Sequence, residues 1–300
     1  MKNRGAIILA SFIVVGFPTA IFAATSTVVP ERIDPIEIES SIHAEAYVVL
    51  DRASGKLLTV KQENKVWPIA SLTKLMTSNV ILEKPPAMQT RYAVKSIDDV
   101  GGAKLYLKNG DKLTIQDLFY AMFLGSANNA ANALARTSGL SKTQFVKKMN
   151  AKAQTMNLLQ TKFTDPTGMD ITNVSTPLEM AQIARVAFDQ PLVRQYTTTP
   201  EKTIRVVNTG VTKKIKNTNW MLTYPEYSDI SVTGGKTGYL EESAWNFVTS
   251  IRPKSDPNKE LLIVVFGAPS RADSFIATKT LADWAWNSYA WKQEYKTASR

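Results

Sequence analysis

The chain has 300 residues, of which 44% are apolar and 21% charged, and its formal net charge is +10. This composition is typical of a globular protein and excludes a collagen-like chain, a disordered chain and a polytopic membrane protein. There is no cysteine and a single histidine, His43. Thiol catalysis, disulfide frameworks and Cys/His zinc sites are therefore excluded, and we expect neither a metal site nor a cofactor. The chemistry has to come from hydroxyl, amine, carboxylate, amide and backbone groups.

The positive charge is scattered along the chain. The lysine and arginine residues form no basic run with interleaved aromatic residues, which is the pattern expected of a nucleic-acid-binding surface. We therefore expect no nucleic-acid partner. A basic exported protein that works near anionic polymers and a generally solvated basic surface both remain compatible with the charge.

Residues 1–24 have the organisation of a secretory signal peptide. Lys2 and Arg4 precede an uncharged stretch that ends in small residues. Gly16 and Pro18 interrupt this stretch, and they favour a cleaved signal peptide over a retained membrane anchor because they break a helix. Both alternatives place the body of the protein in the periplasm or an equivalent extracytoplasmic space. Only a retained N-terminus would attach it to a membrane.

The expected elements begin after a linker, residues 25–41, that contains Pro30 and Pro35 and shows no apolar periodicity. His43 lies just beyond this linker and is interpreted as a surface histidine. In chain order we expect a β-hairpin at 47–50 and 57–60, a helix at 71–83, a hairpin pairing 105–107 with 112–113, helices at 115–124, 129–136, 141–156 and from 177, strands at 203–207, 211–216, 231–233, 245–251 and 261–266, and a helix at 273–291.

Strands therefore open and close the chain, while helices fill its middle. This order predicts an α+β fold with an antiparallel sheet flanked by helices and an inserted all-helical lobe at about residues 84–200. Residues 42–300 are assigned to a single domain.

Ser71 and Lys74 form the first of three short motifs that carry the chemistry. They lie three residues apart at the start of an expected helix, so the hydroxyl and the amine share one face. A serine hydroxyl needs a base to remove its proton, and a lysine can be that base when its amine is neutral. Burial, the positive helix end and a second cation such as Lys236 all lower a lysine pKa. Taken alone, the pair is more typical of a capping serine beside a solvated lysine.

Ser126-Ala127-Asn128 is the second motif, in a turn between two expected helices. Asn128 can donate and accept hydrogen bonds at once, which suits a group that holds a substrate amide and a lysine together. Ser126 can pass a proton toward a leaving amine. An N-cap for the following helix is the alternative interpretation.

Lys236-Thr237-Gly238 is the third motif, on a strand or at its end. A strand beside a nucleophile offers backbone N–H groups to a peptide-like substrate. Lys236 and Thr237 would attract a carboxylate, and Gly238 removes a side chain where substrate backbone has to approach. A strand-end turn with a solvated lysine is the alternative. Each motif is weak by itself, but the three together in this order are a strong signal.

These motifs resemble those of the penicillin-recognising serine enzymes. More closely, the chain resembles the low-molecular-mass penicillin-binding proteins, the D-alanyl-D-alanine carboxypeptidases and endopeptidases of peptidase family S11. The likeness extends over about residues 44–286 and includes the segments 68–77, 165–168, 173–176, 217–219 and 235–239. The segments outside the three motifs are interpreted as scaffold turns.

The resemblance implies an acyl-enzyme mechanism without cofactor. Ser71 attacks the carbonyl between two D-alanine units, Lys74 takes its proton, and water later releases the acyl group. Ser126 relays a proton to the leaving amine, and Asn128 positions the substrate. The implied partners are the stem peptides of peptidoglycan and β-lactams, which would acylate Ser71 and stay.

The resemblance also assigns the sheet side of the site. Lys236 and Thr237 hold the carboxylate end of the substrate, and Gly238 lets its backbone approach. The backbone N–H groups of Ser71 and Tyr239 form the oxyanion hole. The protein is expected to be a monomer.

Three departures from the family pattern bear on the activity. From the pattern of residues up to Arg300 we expect neither the second β-rich domain nor the amphipathic C-terminal anchor that many family members have. In the family pattern Ser-Arg-x-x-Arg-Phe, the later arginine binds the terminal carboxylate, and this chain keeps Arg271 but has Ser274 at that later position. The Glu-x-x-Leu-Asn pattern that β-lactamases carry after the second motif is missing, since the residues at Glu179 do not match it. The first two departures are shared with the short endopeptidase branch, so carboxypeptidase and cross-link endopeptidase both remain open, with a non-catalytic wall-binding protein as the alternative.

Overall fold

The computed structural model describes residues 28–38 and 42–292. The expected signal peptide, residues 1–24, lies outside the described residues. Among the described residues, no helix combines the length and the apolar character needed to span a bilayer.

The described elements are thirteen strands and seven α-helices. The strands are β1 (Glu31–Arg32), β2 (Ala46–Asp51), β3 (Leu57–Lys61), β4 (Trp67–Pro68), β5 (Arg91–Ala93), β6 (Lys112–Thr114), β7 (Val174–Ser175), β8 (Glu201–Arg205), β9 (Thr212–Lys216), β10 (Ile230–Leu240), β11 (Ala244–Pro253), β12 (Leu261–Ala268) and β13 (Tyr289–Ala290). The helices are α1 (Thr73–Ile81), α2 (Ile115–Leu124), α3 (Asn128–Thr137), α4 (Lys142–Thr155), α5 (Pro177–Asp189), α6 (Pro191–Thr197) and α7 (Arg271–Ser288).

The main sheet has five antiparallel strands in the order β10-β11-β12-β2-β3. Every residue of β12 is buried, because helices cover both faces of the sheet. Alternate β12 residues belong to two cores: Val264 packs with the helical lobe, whereas Val265 packs with α7 through residues such as Phe275. Strand β10 is left at one edge of the sheet, and its free side is where the site lies. The α+β fold with a helix-flanked antiparallel sheet is confirmed.

Helices α2, α4 and α5 begin close to the expected positions, each at residues that favour a helix start. Thr114 accepts a hydrogen bond from the N–H of Asp117 at the start of α2, and Ser141 and Gln144 form a reciprocal capping box at the start of α4. Pro177 opens α5, where the missing N–H costs no helical hydrogen bond. Helix α2 is buried on nearly all sides and forms the centre of the lobe.

The expected hairpin of 105–107 with 112–113 is wrong. Strand β6 pairs with β5 instead. Both backbone groups of Leu105 are bound by the side chain of Asn129, and the N–H of Gly110 donates to Val94. The backbone groups needed for a local hairpin are therefore taken by tertiary hydrogen bonds.

Two helix boundaries also differ from the expectation. Ser71 lies in a short 3-10 turn, Ala70–Leu72, and α1 begins after it. Helix α7 ends at Ser288 rather than at 291, because β13 pairs with β1 near the N-terminus. The short helix α6 was not expected from the sequence.

Candidate active site

The three motifs converge on one cleft between the helical lobe and the free edge of β10. Its volume is about 350 Å³. The lining includes residues from all three motifs, namely Ser71, Ser126, Asn128, Thr237 and Gly238, together with Tyr239. Lys74 and Lys236 lie beneath this lining, with their side chains buried.

Ser71 is presented to the cleft by a strained turn. Ala70, immediately before it, has a φ of 47°, in the left-handed region that residues with a Cβ rarely adopt. The turn leads directly into α1, so the backbone N–H of Ser71 lies at the positive end of a helix. The Nζ of Lys74 is 2.8 Å from the Oγ of Ser71. Nucleophile and base are thus within hydrogen-bonding distance.

Lys74 is held by two further partners that can only accept hydrogen bonds. Its Nζ lies 2.7 Å from Oδ1 of Asn128 and 2.7 Å from the carbonyl oxygen of Thr167. A neutral amine has two N–H groups and one lone pair. Because these two acceptors take both N–H groups, the lone pair of neutral Lys74 is directed at the hydroxyl of Ser71.

Two opposing effects set the pKa of Lys74 near neutral pH. Burial lowers the pKa of Lys74 to about 7, and the negative charge of Asp165 opposes that shift. Burial alone would raise the pKa of Asp165, but hydrogen bonds from Thr167, Asp170 and Asn173 lower it. A lysine with a pKa near 7 is available as a base under ordinary conditions.

The second motif joins the two lysines. Ser126 has a φ of 55°, and its Oγ accepts a hydrogen bond of 2.9 Å from Lys236. Asn128 begins α3, and its Nδ2 donates to the carbonyl of Gly101, which fixes the amide so that Oδ1 faces Lys74. The capping alternative does not apply to Asn128, since the N-cap of α3 is Ala127.

The third motif lies within β10 and faces the nucleophile. Burial, followed by the positive charges of Lys74 and Arg271, lowers the pKa of Lys236 well below its ordinary value. Thr237 shares a hydrogen bond of 2.7 Å with Thr218. The interpretation of Lys236 as a solvated lysine is excluded, because it is only 1% exposed.

Glycine is required at 238 by close packing against the nucleophile. A Cβ at this position would lie 2.9 Å from the carbonyl oxygen of Ile69 and 3.2 Å from the backbone nitrogen of Ser71. Gly168, in the loop beside Lys74, is as constrained: its Cβ would lie 1.9 Å from the carbonyl oxygen of Ala70. The turn that contains Ala70 and Ser71 is therefore tightly packed between β10 and the loop 165–168.

Sequence reasoning assigned the loop 165–168 and the segment 217–219 to the scaffold, but both contribute to the site. Thr167 provides an acceptor for Lys74, and Thr218 lines the cleft beside Thr237. The one available signal was their presence among the segments that resemble the family. Tertiary contacts alone show what their side chains touch.

Arg271 also lines the cleft, whereas Ser274 does not. The guanidinium of Arg271 lies 4.6 Å from the ring centre of Trp245 and 5.5 Å from that of Trp220. Within residues 28–38 and 42–292, its Nε has no hydrogen-bond partner. Ser274 is buried and donates to the carbonyl of Arg271. The later arginine position of the family pattern is thus occupied by a buried serine, while Arg271 lines the cleft.

Comparisons with known proteins identify the family. The family model of the D-alanyl-D-alanine carboxypeptidases, peptidase family S11, matches residues 33–270. A D-alanyl-D-alanine endopeptidase of Haemophilus influenzae is 34% identical over 68% of this chain and 69% of its own length. One of Pseudomonas aeruginosa is 28% identical over 89% of this chain and 84% of its own. A D-alanyl-D-alanine carboxypeptidase of Bacillus subtilis, DacF, is 29% identical over 86% and 66%.

Solved structures show the same fold. A variant of the Streptomyces K15 DD-transpeptidase superposes with a TM-score of 0.76 at 25% identity, covering 83% of this chain and 100% of that one. A penicillin-binding protein homologue from Mycobacterium tuberculosis gives a TM-score of 0.75 at 25% identity, covering 90% and 98%. The chain belongs to the D-alanyl-D-alanine carboxypeptidase family of low-molecular-mass penicillin-binding proteins, and it is a serine-type DD-peptidase of peptidoglycan.

Proposed function

We propose that this protein is an exported endopeptidase that cuts D-alanyl cross-links between peptidoglycan stem peptides, with Ser71 as the nucleophile. The observation that carries the proposal is the Ser71–Lys74 contact of 2.8 Å, made by a buried lysine whose other partners only accept hydrogen bonds. The relatives named endopeptidases in Haemophilus influenzae and Pseudomonas aeruginosa favour the endopeptidase over the carboxypeptidase.

In the first step, Ser71 attacks the carbonyl carbon of a D-alanyl residue. Neutral Lys74 takes the hydroxyl proton along the existing hydrogen bond, and an ester forms between Oγ and the acyl group. The developing negative charge on the carbonyl oxygen is stabilised by the backbone N–H groups of Ser71 and Tyr239. Donors in such a position are each worth about 10²–10³ in rate.

The leaving amine then needs a proton. Ser126, which receives a hydrogen bond from Lys236 at 2.9 Å, is placed to deliver one. Asn128 holds Lys74 and faces the substrate amide. Water hydrolyses the ester in the second half of the cycle, with Lys74 again as the base.

The carboxylate next to the scissile nitrogen binds at the sheet side of the cleft. Thr237 offers a hydroxyl there, and the buried amine of Lys236 lies beneath it. Arg271 adds a guanidinium that lies over two indole rings. Both the terminal D-alanine of a carboxypeptidase substrate and the amino acid released from a cross-link can carry this carboxylate, so Arg271 does not separate the two activities.

Digestion of purified peptidoglycan separates the activities. Loss of dimeric muropeptides with formation of monomers is the expected result. Release of D-alanine without loss of dimers would assign the protein as a carboxypeptidase instead. No change in the muropeptides, with binding retained, would indicate a non-catalytic wall-binding protein.

Covalent labelling tests the nucleophile. A fluorescent penicillin is expected to acylate the wild type at Ser71, and Ser71→Ala is expected to remain unlabelled while keeping its circular dichroism spectrum. The matched control is Ser274→Ala, which removes a serine hydroxyl outside the cleft and should leave labelling intact. Labelling that survives Ser71→Ala would contradict the assignment.

A further inference from the structure

A second, strongly basic cleft adjoins the active site. It has a volume of about 430 Å³ and is formed by the β8–β9 hairpin and the end of α2. We call it the basic cleft and define it by its lining residues, Lys104, Leu105, Tyr106, Gly125, Ala127, Lys213, Lys214, Ile215 and Lys216. Four of these nine residues are lysines, so the cleft has a positive potential.

The basic cleft shares a wall with the catalytic cleft. Gly125 lines both, and its neighbour Ser126 faces the catalytic side. The hairpin is packed directly against this turn, since a Cβ at Gly125 would lie 3.1 Å from Cγ2 of Ile215. The chain leaving the hairpin then continues to Thr218, whose N–H donates to Leu124 and whose hydroxyl contacts Thr237. The two clefts are therefore adjacent across the turn at Gly125 and Ser126.

The lysines of the basic cleft are only partly neutralised. Lys104 pairs with Asp99 at 2.7 Å, and Lys214 pairs with Glu201 at 2.7 Å. In residues 28–38 and 42–292, no carboxylate lies within ion-pair distance of Lys213 or Lys216. Lys213 and Lys216 therefore add positive charge to the strand that lines the cleft, with Glu201 directly opposite Lys216 in the hairpin.

The exposed ring of Tyr106 adds an apolar surface beside these cations. Its exposed fraction is 81%, and it lines the cleft together with Leu105 and Ile215. Lysines around a partly apolar cleft suit a peptide that carries carboxylates between short aliphatic groups.

We infer that the basic cleft is a subsite for carboxylates of a peptidoglycan stem peptide, beyond the residues at the scissile bond. The inference rests on the proposed function, because it needs a substrate that continues out of the catalytic cleft. It gives Lys213 and Lys216 a role in affinity for polymeric substrate and none in the chemical step.

Binding to a catalytically inactive protein tests the subsite directly. The probes are a purified cross-linked muropeptide dimer and the same dimer with its carboxylates amidated, and the protein is Ser71→Ala. Adding Lys213→Glu and Lys216→Glu is expected to weaken binding of the acidic dimer about tenfold at low salt. This difference should shrink at about 0.5 M salt, and the amidated dimer should show no such dependence on the two lysines.

The matched control carries the same change in net charge at lysines remote from the cleft, Lys147→Glu with Lys254→Glu. Lys147 lies on α4, and Lys254 follows the end of β11 that pairs with Ile230, about 25 Å along β10 from Gly238. The control should bind the acidic dimer within about twofold of the parent. An equal loss in the control, equal binding of the two dimers, or no loss in the cleft variant would each overturn the subsite.

The catalytic proposal can fail separately. With Ser71 present, the cleft variant should be acylated by penicillin at the wild-type rate, because a small β-lactam does not reach the basic cleft. A large drop in this rate would show that the substitutions disturb the catalytic residues and would overturn a role confined to binding. If the wild type cuts no dimer while its inactive form binds the dimer through Lys213 and Lys216, the endopeptidase proposal fails and the subsite stands.

Discussion

The two walls of the catalytic cleft are built on opposite principles. On the helical side, the amine of Lys74 has all its hydrogen-bonding positions occupied, by Ser71, Asn128 and Thr167. On the sheet side, β10 is an edge strand, and the Nε of Arg271 has no partner among the described residues. A closed network fixes the position and the pKa of a base, whereas an open edge with free donors is suited to binding. The difference separates proton transfer from substrate recognition.

The largest effect is expected from Lys74→Arg, which breaks the helical side alone. Arginine keeps the positive charge but does not lose its proton, so the base is removed. We expect the rate of penicillin acylation to fall by about 10³-fold or more. Stopped-flow or gel-based acylation kinetics measure it, and thermal melting checks that the fold survives. Acylation within tenfold of the wild type would assign the base to another group.

The wild-type pH profile tests the same wall without a mutation. The reactive form of Lys74 is neutral, and burial lowers its pKa to about 7. The acylation rate should therefore rise with pH, reach half its maximum near pH 7 and level off above it. Below pH 7 the rate should fall about tenfold for each pH unit. A flat profile through this range would mean that Lys74 does not titrate during acylation.

Gly238→Ala tests the contact between the two walls. The added methyl group meets backbone atoms of Ile69 and Ser71, so β10 has to move away from the nucleophile. We expect acylation to fall about 10²-fold, since a displacement of about 1 Å has this effect on reacting groups. Gly110→Ala is a control for backbone strain away from the cleft, since Gly110 has a φ of 88° but a Cβ there would meet no atom of the described residues within 4 Å. An unchanged acylation rate in Gly238→Ala would show that β10 can shift without displacing Ser71 from its reactive position.

Asp165→Asn tests the effect of the Asp165 charge on the pKa of Lys74. The negative charge of Asp165 raises the pKa of Lys74 against the effect of burial, so its removal should lower that pKa. The rising limb of the pH–rate profile should then move to lower pH. Loss of hydrogen bonds to a buried carboxylate should also reduce the free energy of unfolding by about 1–3 kcal/mol. A shift to higher pH would contradict the opposing effect of Asp165.

The smallest effect is expected from Tyr239→Ala on the sheet side. The side chain of Tyr239 is half exposed and stacks on Trp245, but the proposed oxyanion donor is its backbone N–H, which alanine retains. Acylation should change less than about tenfold. A loss as large as that of Lys74→Arg would assign the phenol itself to the reaction.

The sequence predicted the fold class and several helix starts because these depend on local chemistry. A helix start depends on groups that lie within four residues of one another along the chain. This is the case for α2, α4 and α5, whose starts involve Thr114, Ser141 and Pro177. The hairpin expected around Gly110 failed for the complementary reason. Its partner groups at Leu105 are bound by Asn129, which is 24 residues away, and no local pattern records that contact.

The active-site residues show the same division between what local sequence and what tertiary structure determine. The sequence alone determined which functional groups are present: three motifs with hydroxyls, amines and an amide, and no thiol. Only the tertiary structure decided the state of those groups. Burial lowers the pKa of Lys74, the loop at Thr167 takes one of its N–H groups, and Gly238 lets β10 reach Ser71. Desolvation and close packing arise when distant segments meet, so the identity of a residue does not contain them.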